Sequence, residues 1–405
     1  MELNYGQTEC IEKLCDWWEN HRKHKQIFEI SGPAGSGKTT IIREMINRLP
    51  DVELKNVLFV AFVGKAAMQM KKNGLNAATI HSTIFTPVRV KMRDNNGQPI
   101  MEEGRYLTRI KFVKVTELPK EIKLIVVDEA PMVDRRLAMD LISFGLPIIA
   151  LGDLHQLPPI FGDPVFMVHP DYQLTEVMRQ AKDSPILALS QEIIHADKRL
   201  HFPRGNTENL QVYTKEDFLY NYTDLLLEAD IVICGKNGTR DDLNALIRRK
   251  RLAREGINAD KVPELTIGDK IICRKNNWSR FEDKGEINLI NGMIGTVRDI
   301  EFESKTSNTI NITFEPDGFP NNPFMNLPIN IKYYKGDKET KARIKASQHD
   351  GELFELGYAI TCHLSQGSQY DTVVLYIERM GDFEYFKKWV YTGITRAKNK
   401  LIIVI

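Results

Sequence analysis

Neither sign of charge dominates this chain: 55 Lys and Arg stand against 54 Asp and Glu, a formal net charge of +1. No overall basic excess announces a nucleic-acid partner, yet a local groove can still bind phosphates, because steering depends on where charge sits. Long apolar runs are missing as well. No stretch approaches the roughly 20 residues of a membrane-spanning helix, so no membrane partner is expected. The opening residues, Met1-Glu2-Leu3-Asn4-Tyr5, lack both the basic and the apolar segments of a secretory leader. Cysteine is sparse: Cys10, Cys15, Cys234, Cys273 and Cys362 are scattered and odd in number. That excludes a disulfide framework and suits a reducing compartment. Internal repeats and low-complexity tracts are absent, which removes solenoids and disordered tails from consideration. A soluble, cytoplasmic protein is expected.

One apparent metal site dissolves on inspection. Cys10, Cys15, His21 and His24 lie within Thr8–His24, where Ile11, Leu14, Trp17 and Trp18 recur at helical spacing. Four ligands confined to one short helix are poorly placed for a zinc tetrahedron. The cysteines read instead as small core hydrophobes.

What is present is a chain of 405 residues, 42% apolar and 27% charged, long enough for two or three domains. Short β-branched runs punctuate it: Ile27–Ile30, Val57–Val63, Leu124–Val127, Ile148–Leu151, Ile231–Cys234, Val373–Ile377 and Leu401–Ile405. Most lack strict alternation, as expected of parallel strands buried on both faces. Helix-like segments such as Thr39–Leu49 and Arg240–Arg254 lie between them, so the fold class is α/β with parallel sheets. Two stretches break the pattern. Residues 84–119 read as a protruding hairpin turning at Asn95-Asn96-Gly97. Residues 265–350 carry short strands between glycine and asparagine turns, the texture of a small all-β insertion.

The chemistry begins at "ISGPAGSGKTTII", which matches G-x-x-x-x-G-K-[ST] between a strand-like and a helix-like run. Backbone N–H groups around Gly32, Gly35, Ser36 and Gly37 can close on phosphates, helped by the helix N-terminus at Thr39 and Thr40. Lys38 would reach the β- and γ-phosphates, and the Thr39 hydroxyl would ligate Mg²⁺. In "LIVVDEAP", Asp128 leaves the end of a buried strand, where α/β folds place ligand groups. It can hold Mg²⁺ through water, while Glu129 can act as general base on the attacking water. "GDLHQLPP" repeats the plan, and the Gln156 amide can couple the γ-phosphate to a neighbouring surface. An arginine inserted from across the cleft would stabilise the charge of phosphoryl transfer by roughly 10³–10⁵ in rate. Arg179 in "LTEVMRQ" and Arg396 in "YTGITRAK" are the candidates, each with a helix-surface ion pair as its plain alternative.

In order, "GPAGSGKT", "AFVGKAA", "TIHS", "VVDEAPMV", "GDLHQLPP", "LTEVMRQ", "YAITCHLSQGSQ" and "YTGITRAK" resemble the motif set of superfamily 1 DNA helicases, in the RecD/Dda-like branch that moves 5′ to 3′. The resemblance runs from Gln7 to the end of the chain. It implies two RecA-like P-loop domains sandwiching ATP and Mg²⁺: residues 1–170 with the hairpin as a strand-separating pin, and 171–405 with the β insertion as a small barrel. It implies that Gln7 reads the adenine, that Gly367 lies at the nucleotide, that Gln156 senses the γ-phosphate, and that Arg179 and Arg396 are arginine fingers. Single-stranded DNA would run past Lys65, Thr79, His81, Thr361, His363, Ser365 and Gln366. The kinship further implies forked or partial-duplex DNA as substrate, alongside a single-strand-binding or replication protein.

The chain departs from the family at Phe62 and Val63, where Pro and Thr are usual. Leu364 stands in place of a lysine, and Gln369 in place of a glutamate near the ribose. Single strands are held by basic grooves and stacking aromatics, which adds Phe85, Pro87, Trp278 and Phe281 as candidate stackers or wedges, with local packing as the alternative. The run Arg248-Arg249-Lys250-Arg251 reads first as a solvated helix face. Other readings stay open at this stage: a P-loop kinase, an ATP-regulated nucleic-acid clamp or loader, and an RNA helicase. The modest length suits a viral or phage motor working in replication, recombination or repair in a host cytoplasm.

Overall fold

A computed structural model of the chain describes residues 3–33, 35–49, 51–91, 93, 97–102, 105–106, 108–159, 164–175, 184–277, 289–301, 308–319, 322–346 and 350–405. Two sheets built on parallel pairings organise it, and their strands are numbered here along the chain. The first contains β1 (Ile27–Ser31), β2 (Val57–Ala61), β3 (Ala77–Thr79), β4 (Leu124–Asp128), β5 (Ile148–Gly152) and β6 (Tyr172–Gln173), in the order β6-β1-β5-β4-β2-β3. The second contains β7 (Leu210–Tyr213), β8 (Ile231–Cys234), β9 (Ala359–Thr361), β10 (Tyr370–Tyr376) and β11 (Ala397–Val404), in the order β7-β11-β10-β8-β9. The neighbours β6–β1, β1–β5, β5–β4 and β4–β2 pair in parallel, as do all four neighbours of the second sheet.

The non-alternating apolar runs have the expected cause. Every residue of β2, β5 and β8 is buried, because helices cover both faces. Those helices are α1 (Tyr5–Asp16), α2 (Lys38–Arg48), α3 (Gly64–Lys72), α4 (Arg135–Ile142), α5 (Pro185–Ile194), α6 (Asn237–Arg254) and α7 (Phe383–Ile394). Around α1 and α2, Cys10, Ile11, Leu14, Ile41, Ile42 and Met45 join Phe59, Val126 and Ile149 in one core. Cys10 is thus a packing residue, its thiol pushed up to about 12 by desolvation. The first sheet reaches Gln173, beyond the residue 170 expected from sequence.

The chain divides into two compact units. Met1–Ala78, Glu121–Pro263 and Leu356–Ile405 form one, which holds the parallel sheets; Thr79–Lys120 and Glu264–Glu355 form the other, which holds the insertions. In the second unit, Phe85–Lys91 pairs antiparallel with Thr108–Lys114, from Phe85 opposite Lys114 to Lys91 opposite Thr108. Asn95 and Asn96, the expected turn, lie outside the described residues, and Gly97 adopts φ 80°.

The other insertion orders its strands as Phe324–Asn330, Thr309–Pro316, Ile294–Glu301, Lys270–Cys273 and Phe354–Leu356. A parallel bridge from Ile329 to Glu352 ties the two outer strands together, with Asn330 N–H donating to the Glu352 carbonyl at 2.9 Å. Val297, Ile312, Phe314, Leu327 and Phe354 fill the interior, Phe314 and Phe354 meeting edge-on at 5.0 Å. The expectation of a purely β insertion needs correction: Ile331–Lys335 and Lys338–Ala346 are helical. The second is rich in Lys, Glu, Ala and Arg, good helix formers, and Asp337 Oδ1 accepts from Thr340 N–H at 2.8 Å to cap it. Among the described residues no helix is long and apolar enough to cross a membrane.

Candidate active site

Neighbouring strands of the first sheet are in register at their C-terminal ends: Ser31 of β1 lies beside Gly152 of β5, and Ala61 of β2 beside Asp128 of β4. The loop after β1, the acidic pair after β4 and the segment after β5 therefore emerge at one edge, as parallel α/β sheets arrange their ligand groups. Gly32 N–H donates to the Gly152 carbonyl at 3.0 Å, and Leu154 N–H donates to Ser31 Oγ at 3.3 Å, fastening the first loop to the third.

Within Gly32–Thr39, Lys38 Nζ donates to the carbonyls of Gly32 (2.6 Å) and Pro33 (3.0 Å). Gly37 caps α2 from the left-handed region at φ 84°, a conformation that disfavours any side chain. Space is short there too, since a Cβ would stand 2.5 Å from Gln7 Nε2. Gln7 is buried, and its place has a local cause. Asn4 caps α1, accepting from Gln7 N–H at 2.8 Å, while Gln7 Oε1 accepts from Asn4 N–H at 3.1 Å. The free end of the amide then reaches the phosphate loop, Nε2 donating to the Ser36 carbonyl at 3.0 Å. The spacing in "NYGQ" carries this capping signature, which sequence reasoning passed over. Ser36 Oγ is buried without a hydrogen-bond partner among the described residues, an orphan that a phosphate oxygen would satisfy. Thr39 and Thr40 occupy the first turn of α2, half-buried.

Asp128 ends β4, and its Oδ1 accepts from Glu129 N–H at 3.0 Å. Glu129 sits at φ 51°, a strained left-handed position for a non-glycine residue. Desolvation raises both carboxyls above their ordinary range. Lys38 opposes that rise at Asp128. At Glu129 the opposing charges are Arg396 and then Lys38, while Asp128 and Asp153 push the other way. One electrostatic neighbourhood thus joins the phosphate loop, the acidic pair and Arg396, which stands in the turn between α7 and β11.

Arg396 is 2% exposed. Its Nε donates to the Thr392 carbonyl at 3.0 Å, Nη1 to the Ser368 carbonyl at 3.1 Å and Nη2 to Thr395 Oγ1 at 3.1 Å. The segment after β5 meets the same elements. Tyr391 hydroxyl donates to Asp153 Oδ2 at 2.6 Å, and burial together with that carboxylate drives the phenol far above its usual range. Gln156 is buried, and its Oε1 has no hydrogen-bond partner among the described residues. Gly367, at φ 71°, lies against α3, where a Cβ would meet Ala66 Cβ at 3.3 Å. Tyr391 and Thr392 were not singled out from sequence, although both stand inside a quoted motif.

The residues expected along DNA are spread over both units. In the first, Lys65 Nζ lies 4.5 Å from the centre of the Tyr370 ring. Thr361 ends β9, and His363 Nε2 is 3.1 Å from Tyr385 hydroxyl, its pKa lowered by burial. Ser365 and Gln366 are buried: Ser365 Oγ donates to the Cys362 carbonyl at 2.7 Å, and Gln366 Nε2 to the Leu157 carbonyl at 3.1 Å. In the second unit, Thr79 caps the helix Ile80–Ile84, and His81 and Phe85 rings lie 5.8 Å apart at its surface. Pro87 is exposed opposite Phe112, itself 42% exposed. Arg179, Trp278 and Phe281 lie outside the described residues. The basic run on α6 pairs locally, Lys250 with Asp224 (2.8 Å) and Arg251 with Glu255 (2.8 Å).

A family model described as an AAA domain matches residues 2–223, more than half of the chain. This chain belongs to that AAA-domain family. A second model, a UvrD-like helicase C-terminal domain, matches residues 356–404. The ATP-dependent DNA helicase dda of Enterobacteria phage T4 is 24% identical over 453 residues, covering 95% of this chain and 95% of its own length. The ATP-dependent DNA helicase Pif1 of Campylobacter jejuni is 24% identical, covering 95% of this chain and 90% of its own. The ATP-dependent RecD2 DNA helicase of Deinococcus radiodurans is also 24% identical, but only 48% of its length is spanned. Among solved structures, two Pif1 helicases at forked double-stranded DNA share the fold with a TM-score of 0.55 at 18% identity, covering 100% of this chain and 92% of that one. Bacteroides Pif1 with ADP-AlF3 and single-stranded DNA gives 0.54 at 17% identity, with the same coverage. The likeness to superfamily 1 helicases of the RecD/Dda and Pif1 kind holds across both sheets.

Proposed function

We propose that the chain is an ATP-dependent DNA helicase that translocates 5′ to 3′ on single-stranded DNA and opens paired DNA ahead of it. The observation that carries this reading is the shared neighbourhood of Lys38, Asp128, Glu129 and Arg396, in which the turn before β11 of the second sheet supplies a buried cation to carboxylates of the first. Two sheets that complete one hydrolytic site can convert nucleotide turnover into relative motion, provided each state holds ligand differently.

The residues fit a triphosphate. Lys38 Nζ, now on two carbonyls, is positioned to exchange them for phosphate oxygens, and the orphaned Ser36 Oγ can donate to one. Mg²⁺, held by Thr39 Oγ1 and Asp128 with phosphate and water oxygens completing its shell, would neutralise charge on the phosphates. Glu129, its basicity raised by desolvation, takes a proton from the attacking water. Gln156 Oε1, a buried acceptor with no partner among the described residues, is suited to orient that water. Arg396 then stabilises charge on the transferring group. Lys65, Thr361 and His363 of the first unit are proposed to contact DNA, and Thr79, His81, Phe85 and Pro87 of the second unit are separately proposed as DNA contacts. The dda, Pif1 and RecD2 relatives, all ATP-dependent DNA helicases, support this activity.

Unwinding of duplexes bearing either a 5′ or a 3′ overhang, with ATP and Mg²⁺, tests the reading. Opening of the 5′-tailed substrate is expected, with Lys38→Ala inactive and correctly folded. Near-native DNA-stimulated turnover in Lys38→Ala would reject it. Turnover stimulated by RNA but not DNA would replace it with an RNA motor.

A further inference from the structure

We infer that Thr392 and Gln366 are positioning residues that bind the Gln156 segment to Arg396, so that the water-orienting amide and the arginine move as one piece. The inference rests on the reading of this cleft as an ATPase site. It departs from the expectation that Gln366 lies on DNA.

The argument starts from Leu157. Both backbone polar groups of this buried residue are taken by side chains of the second sheet's elements: its N–H donates to Thr392 Oγ1 at 3.0 Å, and its carbonyl accepts from Gln366 Nε2 at 3.1 Å. Each of those partners belongs to a segment that also holds Arg396. The Thr392 carbonyl accepts from Arg396 Nε at 3.0 Å, and the Ser368 carbonyl, two residues past Gln366, accepts from Nη1 at 3.1 Å. The bonds therefore close a ring, from Leu157 through Thr392 to Arg396, and back through Ser368 and Gln366 to Leu157. Thr392 is 0% exposed and Gln366 2% exposed, so neither presents itself to a DNA strand.

The ring is stiff for reasons visible in "QLPP". Pro158 and Pro159 follow Leu157, restricting its backbone and their own. The segment has fewer rotations left to absorb a displacement, and Asp153 at its other end is held by the 2.6 Å bond from Tyr391. Gln156 is held between these two anchors, its Oε1 unpartnered among the described residues. Thr392 also donates to the Lys388 carbonyl at 2.8 Å, so its rotamer is set from within α7. Removing its hydroxyl leaves a buried N–H at Leu157 with no acceptor, and the amide and arginine lose their common support.

The test compares Thr392→Val, Thr392→Ser and Gln366→Leu, reading ATP turnover at saturating single-stranded DNA, KM for ATP, and DNA affinity by fluorescence anisotropy. Thr392→Val is expected to lower kcat about tenfold, the scale of one unsatisfied buried donor, with KM and DNA affinity within about twofold. Thr392→Ser keeps the hydroxyl and is expected to restore turnover. Gln366→Leu is expected to lower kcat without weakening DNA binding, and it carries the test alone should Thr392→Val fail to fold. Native kcat in either variant overturns the inference, as does a Gln366→Leu protein that loses DNA affinity at unchanged kcat. Lys38→Ala separates the two levels: if it is inactive while Thr392→Val turns over normally, only this inference falls, whereas an active Lys38→Ala removes the ATPase reading itself.

Discussion

Replacing Glu129 by Gln is expected to move activity and stability in opposite directions. The substitution keeps shape and hydrogen-bonding capacity but deletes a charge that folding partly desolvates. Loss of the proposed base is expected to reduce DNA-stimulated turnover by about 10²–10⁴. Stability responds to a separate balance. Desolvation raises the carboxyl above the 4.5 usual for a glutamate, Asp128 and Asp153 raise it further, and Arg396 and Lys38 oppose them. A carboxyl raised on folding holds its proton more tightly in the native state, so native stability falls as pH climbs from 4.5 through the folded value. A tenfold difference in proton affinity between the folded and unfolded states corresponds to about 1.4 kcal/mol, or roughly 3–6 °C in a domain of 150–250 residues. Glu129→Gln removes the penalty. Differential scanning fluorimetry between pH 4 and pH 9 is expected to show a midpoint gain over the native protein that grows above pH 4.5 and then levels off. A turnover within threefold of native, or a midpoint that drops equally at every pH, would refute the reasoning.

Arg396→Ala is expected to retain ATP binding and lose about 10³ in kcat. Because the Arg396 guanidinium is the charge that most opposes the rise at Glu129, the acid limb of its residual pH–rate profile should also shift upward. An unchanged kcat would remove Arg396 from the site. Gly37→Ala places a Cβ 2.5 Å from Gln7 Nε2 on a backbone at φ 84°. The left-handed conformation alone costs an alanine about 1–2 kcal/mol, and displacing Gln7 breaks its bond to Ser36. Nucleotide affinity, read with a fluorescent analogue, should fall sharply. Adding Gln7→Ala should recover only part of it, because the backbone strain remains.

Some of this protein was fixed by local sequence. The phosphate loop needs glycines at Gly35 and Gly37, both at positive φ, and the pattern is readable because the backbone demand is local. The buried runs of β2, β4 and β5 announced parallel strands, since strands covered on both faces cannot alternate. The acidic pair after β4 and the amide after β5 followed, because parallel registry delivers strand ends to one edge. The capping box that aims Gln7 is equally local and was legible in four residues.

Other features depended on long-range packing. Nothing in "LSQGSQ" or "YTGITRAK" shows that Gln366 and Thr392 meet the backbone of Leu157, residues separated from it by 209 and 235 positions. Nor does it show that Tyr391 closes on Asp153. A side chain's type and motif state which bonds it can make, and its burial after the two sheets pack decides which it does make. Sequence therefore specified the chemical inventory of the cleft, a phosphate cradle, two carboxylates, an amide and an arginine. Tertiary structure alone decided which groups remain unpartnered toward the nucleotide and which are spent holding the cleft together, because desolvation and hydrogen-bond satisfaction are properties of the packed whole.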